Sequence, residues 1–275
     1  MKGRIIKNIS NDYTIDTGSK LYTCKPRGKF RLNNLTPLVG DIVLFDEVNN
    51  YITDILPRKN ELIRPSIANI DIAVIVTSVK KPDFDDYLLD KTLTIISYNN
   101  ITPVIYFSKL DLLNESELSE INKYIKYYKK IGYLVATTPK ELLVMIKNKT
   151  IVFTGQSGAG KSTLLNKISP NLELKTNEIS LALGRGKHTT RHTELYNIDG
   201  TFIADTPGFS KIDFYDMNDI DIRDNMKEMF DNLEYCKYAD CMHLFEDGCH
   251  VTKLLANGEV LPSRYNNYKS FLGKW

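Results

Sequence analysis

At 275 residues, with 42% hydrophobic and 25% charged side chains, the chain has the make-up and length of a folded globular protein of two or three domains, which excludes extended disorder and fibrous repeats. The 36 Lys and Arg against 34 Asp and Glu leave a formal charge of +2, so a preference for an anionic partner has to arise from local clustering, not from the total. No run approaches the roughly 18 apolar residues of a membrane span, and MKGRIIKNIS has no apolar core of signal-peptide length, so a cytoplasmic protein with no membrane partner is expected.

From Lys2 to about Leu56 the runs RIIKNI, DYTIDT, KLYTCK, DIVLF and YITDIL alternate apolar and polar residues and are broken by SND, TGSK and EVNN. A period of two bounded by turn residues predicts strands. Five short strands in so few residues predict a small closed barrel, an OB-fold, although a small sandwich or an SH3-like barrel fits the spacing too. Between Lys2 and Arg31 the basic residues Lys2, Arg4, Lys7, Lys20, Lys25, Arg27, Lys29 and Arg31 face only Asp12 and Asp16, an excess that suits an anionic partner or, equally, a solvated surface.

After LPRKNELIRPS the pattern changes. DIAVIVTSV is a continuous apolar run, as in a strand buried on both faces. DYLLDKTLTIISYNN carries Leu89, Leu93 and Ile96 at helical spacing. PVIYF predicts a strand, residues 115–131 a long polar helix, YLVAT a strand, PKELLVMIKN a helix and TIVFT a strand. Such alternation builds a parallel sheet flanked by helices, here from Ile70 to about Ile212. From Asp219 onward short helices surround a cysteine cluster. RDNMKEMF stacks Met226, Met229 and Phe230 on one side as core. Pro262 opens a terminal helix on which Tyr265, Tyr268, Phe271 and Trp275 recur at packing spacing. The expected division is a barrel over 1–64, an α/β domain over 65–218 and a mostly helical segment over 219–275.

GQSGAGKS, residues 155–162, matches G-x-x-x-x-G-K-[ST], with strand TIVFT before it and helix STLLNKI after it. Glycines let successive N–H groups turn inward on phosphates beside a helix N-terminus. Gly155, Gln156, Ser157, Gly158, Ala159, Gly160, Lys161, Ser162 and Thr163 are therefore the expected phosphate contacts. Lys161 would bridge the β- and γ-phosphates and Ser162 would ligate Mg2+. Downstream, IADTPGF places Asp205 at the end of strand TFIAD, where it can hold Mg2+ through a water, followed by Gly208, whose N–H can sense the γ-phosphate. A nucleoside triphosphate is the expected ligand.

Upstream, FSKLDL follows strand PVIYF and resembles the guanine-recognition motif NKxD of GTPases. Asp111 can accept from both the ring N1–H and the exocyclic amine of guanine, a donor pair adenine lacks, and a site built on that pair discriminates strongly. Lys109 would lay its stem over the base. Ser108 stands where asparagine is usual, which predicts a weaker brace between base motif and phosphate loop. VATTPKE occupies the position of the loop that touches the guanine carbonyl, with Thr137 and Thr138 as candidates. The order base motif, phosphate loop, switches is permuted relative to an ordinary GTPase, which is permissible because domain termini commonly lie close together. The segment after DTPGF then runs straight into the C-terminal segment, so hydrolysis can pull on that segment through the backbone.

Cys236, Cys241, His243 and Cys249 form C-x4-C-x-H-x5-C. Three thiolates and an imidazole suit a closed tetrahedral zinc site, a staple for a segment with little core of its own. His250 is a competing candidate, and buried free thiols are the plain alternative. Cys24 is expected to be a small buried core residue.

Together, RPSIANID, FSKLDL, GQSGAGKSTLLN, GRGKHTTRHTELY, DTPGF and the Cys3His cluster resemble the ribosome-small-subunit-dependent GTPase A (RsgA) family over essentially the whole chain. The resemblance implies a multi-domain fold: an N-terminal OB-fold barrel, a central circularly permuted α/β P-loop GTPase domain and a C-terminal zinc-binding domain. It implies a cytoplasmic bacterial GTPase that acts late in maturation of the small ribosomal subunit. GTP would be its substrate, GDP its product, and Mg2+ and one structural zinc its metals. Barrel and zinc domain would contact the ribosomal RNA, and hydrolysis, slow alone, would be stimulated by the subunit. A monomer is expected. The water-orienting glutamine of Ras-type GTPases is replaced by Phe209, which neither donates nor accepts a hydrogen bond. The resemblance points instead to His188 in GRGKHTT as the catalytic histidine, with His192 a near neighbour, and Thr190 is favoured over Thr189 as a Mg2+ ligand. Three function classes fit these residues: an enzyme used as a timer, a nucleic-acid-binding module switched by nucleotide, and a P-loop kinase or ATPase acting on a small molecule. The first is the expectation.

Overall fold

The computed structural model describes residues 1–28, 30, 35–62, 66–168, 194–205 and 213–273. The strands run in chain order as β1 Lys2–Ile9, β2 Asp12–Asp16, β3 Leu21–Pro26, β4 Ile42–Asp46, β5 Tyr51–Ile55, β6 Glu61–Leu62, β7 Ile67–Ala68, β8 Ile72–Ser78, β9 Thr102–Ser108, β10 Leu134–Ala136, β11 Thr150–Thr154, β12 Glu194–Ile198 and β13 Thr201–Asp205. The helices are α1 Asp86–Tyr98, α2 Glu115–Lys130, α3 Pro139–Ile146, α4 Lys161–Ile168, α5 Asp219–Asp224, α6 Lys227–Asp231, α7 His250–Ala256 and α8 Pro262–Phe271. No helix among the described residues is long and apolar enough to cross a membrane. The chain forms two compact units, neither contiguous in sequence. One comprises Met1–Ala73, Pro139–Thr154 and Lys161–Phe209, the other Val74–Thr138, Gly155–Gly160 and Ser210–Trp275.

The first unit holds the barrel. Its strands follow the order β1-β2-β3-β5-β4, and β4 closes against β1. Only β3 and β5 pair in parallel, the arrangement of an OB-fold. The alternation seen in the sequence is inward against outward: Ile5, Tyr13, Ile15, Cys24, Val43, Phe45 and Ile52 are buried. Gly3 lies where β1 crosses β2, and a Cβ there would sit 2.4 Å from Ile15 Cγ2, so the crossing has no room for a side chain. The β1–β2 register shifts between Ile5 and Lys7, a bulge at Ile6.

In the same unit β11 pairs in parallel with β13, and β13 pairs antiparallel with β12. Strand β12 then meets barrel strand β1 at Lys7↔Glu194. An extra residue at the bulge restores the phase of the pleat, so Arg4 and Lys7, three apart, both reach these strands. Arg4 NH1 donates to Thr150 Oγ1 at 2.7 Å and its guanidinium lies 4.8 Å over the Phe202 ring. Lys7 pairs with Glu194 at 2.9 Å. Arg4 and Lys7 are thus engaged with β11, β12 and β13, which trims the basic surface read from the sequence. Lys29 and Arg31 lie outside the described residues.

The second unit carries the sheet β10–β9–β8, with β10 parallel to β9. All seven residues of β8 are buried, as its unbroken apolar run predicts. Leu89 and Leu93 of α1 and Ile121, Ile125 and Tyr128 of α2 pack with Ile75, Ile105 and Phe107 into one core. Helix α2 opens with a capping box, Asn114 and Glu117, and closes with Lys129 and Lys130, charges that complement the helix dipole at both ends.

A second core joins α5 to α8 through Ile222, Met226, Met229, Val251, Tyr265, Tyr268 and Phe271. Phe230 departs from the expected stack: it is 54% exposed while Met226 and Met229 are fully buried. The helix does not run through RDNMKEMF. It ends at Asp224, Met226 caps the next helix in extended geometry, and the break rotates Phe230 outward. Trp275 lies outside the described residues. Arg264 on α8, wholly buried, donates to Glu228 on α6 and to Asp90 on α1, each at 2.6 Å. Tyr127 and Tyr128 of α2 add hydroxyl bonds to the same two carboxylates.

Candidate nucleotide site and metal cluster

Strand β9 ends at Ser108, and Lys109 then turns the chain with φ 63° into a 3-10 turn, Leu110–Leu112. A left-handed residue at this point reverses the chain in one step and leaves Asp111 on the exposed side of the turn. Within the same unit the phosphate loop begins at Gly155, whose φ is 128°. A Cβ at Gly155 would come 2.1 Å from the Val76 carbonyl oxygen, so the loop can lie against β8 only as glycine.

The base motif is fastened to this loop by two side chains. Ser108 Oγ donates to the Ala159 carbonyl at 2.6 Å and lies 3.2 Å from that of Thr77. Lys109 Nζ donates to the Gly158 carbonyl at 2.7 Å and also to the Lys81 carbonyl. The brace expected to be weakened by serine is therefore made: the shorter side chain delivers a hydroxyl proton where asparagine would deliver an amide. Gln156 Nε2 lies 3.4 Å from Asp85 Oδ2, while Asp85 Oδ1 caps α1 through the Leu88 N–H. Lys80 donates to both oxygens of Glu117, at 2.8 and 3.0 Å, the same carboxylate that caps α2. Because β9 and β10 are parallel, Thr137 and Thr138 follow β10 at the edge where Ser108 ends β9.

Lys161 and Ser162 are the first residues of α4, in the other unit. Burial pushes the Lys161 ammonium below its ordinary value. There β11 and β13 are parallel, so Asp205 ends its strand at the edge where β11 ends. His188, His192, Thr189, Thr190, Gly208 and Phe209 lie outside the described residues, as do 206–212 and 169–193 altogether.

Cys236, Cys241, His243 and Cys249 offer ligand atoms that all lie within 4.8 Å of one another. His243 Nδ1 sits 3.5 Å from Cys236 Sγ and 3.4 Å from Cys249 Sγ, while Nε2 faces the Met229 carbonyl at 3.0 Å. With the proton on Nε2, Nδ1 keeps a lone pair aimed among the sulfurs, as a metal ligand requires. Burial, with Cys249 beside it, pushes the Cys241 thiol up to about 12. That thiol therefore holds its proton until a cation displaces it. The set fits a tetrahedral divalent metal and leaves no open position for a substrate. His250 stands outside it, its ring against Tyr235.

The loop bearing His243 is built from both sides. Glu246 accepts from the N–H groups of Met242, Leu244 and Phe245 at 2.6, 2.7 and 3.0 Å. Tyr265 donates to the His243 carbonyl at 2.7 Å and Tyr268 to that of Met242 at 2.8 Å. Sequence reasoning passed over Glu246, Lys80, Lys81 and Asp85. The N-E-S-E capping signature around Glu117 could have pointed to part of this scaffolding; the other bonds join atoms far apart in the chain or on the backbone, which sequence spacing does not reveal.

The RsgA N-terminal domain model matches residues 2–53 and the RsgA GTPase model residues 55–215. A protein of Enterococcus faecalis named small ribosomal subunit biogenesis GTPase RsgA is 45% identical over 280 residues, covering 99% of this chain and 94% of that protein. One of the same name from Streptococcus agalactiae is 44% identical over 277 residues, covering 100% and 95%. The crystal structure of YloQ, described as a circularly permuted GTPase, is similar at TM-score 0.82 and 36% identity over 99% of this chain and 93% of that one. YjeQ from Thermotoga maritima matches at TM-score 0.83 and 32% identity, covering 100% and 99%.

Proposed function

The chain belongs to the RsgA GTPase family, and on that premise we propose that it binds the small ribosomal subunit, acts late in the maturation of that subunit and hydrolyses GTP to GDP and phosphate as a timer of its own release. It is a GTP hydrolase with a circularly permuted nucleotide domain. The observation that carries the reading is the fastening of the guanine-type motif to the phosphate loop by Ser108 and Lys109. A carboxylate at Asp111 and a nest of loop amides, tied together by these two bonds, suit a guanine and its phosphates far better than a small-molecule kinase site.

In this reading Asp111 accepts from guanine, Lys109 covers its face, and Thr137 and Thr138 meet its carbonyl. The amides of 155–163 and Lys161 hold the phosphates, and the Gly208 N–H senses the γ-phosphate. Ser162, Thr190 and Asp205 hold Mg2+, which when bound neutralises charge on the transferring phosphoryl group. His188 orients the attacking water, for which Phe209 has no polar atom. Cys236, Cys241, His243 and Cys249 hold one structural zinc. A barrel over 1–64, a nucleotide domain over 65–218 and a zinc segment over 219–275 are the division of labour in this reading. Ribosomal RNA as the surface met by barrel and zinc segment, a monomeric state and a cytoplasmic setting complete the proposal.

Phosphate release with and without purified small subunits tests it. A subunit-dependent rise is expected, Lys161→Ala abolishes triphosphate binding, and His188→Ala slows hydrolysis on the subunit with affinity kept. No rise with subunits sinks the timer. Displacement of labelled GTP by ATP at comparable concentration sinks the guanine assignment.

A further inference from the structure

The boundary between the two compact units does not follow the end of the barrel. Barrel, β11, β12 and β13 lie in one unit. Among the described residues that joint includes the β1–β12 pairing at Lys7↔Glu194, the Lys7–Glu194 ion pair, a long exposed bond from Asn197 Nδ2 to Asp16 Oδ2 at 3.5 Å, and the seat of Arg4 on Thr150 Oγ1 and the Phe202 ring. The ion pair is about one-third and one-quarter exposed on its two sides, so it contributes little. The Arg4 seat differs. Thr150 is 1% exposed, and burial pushes the Arg4 guanidinium below its ordinary value although Asp71 and Asp16 pull the other way. A desolvated cation with a charge-assisted bond and an aromatic face holds a fixed geometry.

The seat has a distinctive address. In the chain, β12 begins after the segment that carries His188, and β13 ends at Asp205, the first residue of DTPGF. The barrel strand is therefore bonded to the two strands that bound the phosphate-responding segments.

We propose that Arg4 is the positioning residue through which the barrel and strands β12 and β13 act as one body, so that a partner held on the barrel biases GTP hydrolysis. The regulatory half of this statement rests on the reading of the chain as a partner-stimulated GTP hydrolase. It is testable without any partner: if barrel, β12 and β13 act as one body, a triphosphate that holds the segments next to β12 and β13 also protects the β1–β2 hairpin against local opening.

The experiment compares amide hydrogen exchange of the β1–β2 hairpin in the full chain with GDP and with a non-hydrolysable GTP analogue. In the wild type, exchange at β1–β2 slows by about fivefold or more with the analogue, the lower end of ordinary coupling. In Arg4→Met the difference disappears while nucleotide affinity is kept, and Arg4→Lys, which keeps the charge without the planar fork, recovers part of it. Should Arg4→Met fail to fold, Thr150→Val deletes only the acceptor hydroxyl and shrinks the difference too. A wild type indifferent to nucleotide, or a folded Arg4 or Thr150 variant with the full difference, overturns the proposal. Failure of the functional reading shows elsewhere, as a wild type that small subunits do not stimulate.

Discussion

The proposed guanine motif leans on a hydrogen bond made wholly within the protein. Ser108 has a single proton to give, and at 2.6 Å it goes to the Ala159 carbonyl of the phosphate loop. Ala159 is itself fully buried, so the carbonyl has little water to turn to. Removing the donor leaves a buried acceptor unpaired, at a cost of about 1–2 kcal/mol. Ser108→Ala should therefore weaken GTP and GDP alike by roughly 5- to 30-fold, with little change in the hydrolysis rate at saturation. Titration of a fluorescent guanine nucleotide measures it, and unchanged affinity would show the brace to be idle. The identity of the motif was legible in FSKLDL because its chemistry is local. The strength of the brace was not, because the acceptor lies 51 residues away and belongs to the backbone.

Among the elements, the knuckle 241–246 shows how a small loop is prepared for a metal. Its N–H groups end on Glu246 and its carbonyls on Tyr265 and Tyr268. Most of the loop's backbone is thus satisfied before any ligand sulfur is deprotonated. Glu246→Ala should loosen the metal by about 10- to 100-fold, the usual penalty for losing a group that orients ligands. Glu246→Gln, which keeps one acceptor oxygen, should fall between. A chromogenic chelator competing for the metal reads this directly, and identical release curves for wild type and Glu246→Ala would remove Glu246 from the site. The ligand spacing was plain in the sequence, as were the five barrel strands, whose alternation through Ile5, Tyr13 and Ile15 reflects one buried face. The Phe230 error has the opposite origin. Periodicity assumed one helix where the chain breaks at Asn225 and Met226, and no residue there announces a break as strongly as Gly or Pro would.

For the molecule as a whole, long-range pairs of charge decide how distant parts of the chain are joined. Arg264 and Asp90 are 174 residues apart and both wholly buried, with Glu228 completing the set. Arg264→Ala would strand two carboxylates in the interior, at about 3–5 kcal/mol, measurable by denaturant unfolding. Replacing Arg264, Asp90 and Glu228 together by apolar residues of similar volume should recover most of that loss, since the desolvation cost leaves with the charges. If the single variant lost under about 1 kcal/mol, these helices would be held by packing alone. A comparable separation governs Arg4, whose acceptor Thr150 lies 146 positions downstream. At roughly 5–20 residues per second of synthesis, the first strand leaves the ribosome on the order of ten seconds before its acceptor exists. The nascent barrel must stay soluble through that interval with Arg4 unseated, because it is translated well before the strands that lock it in place.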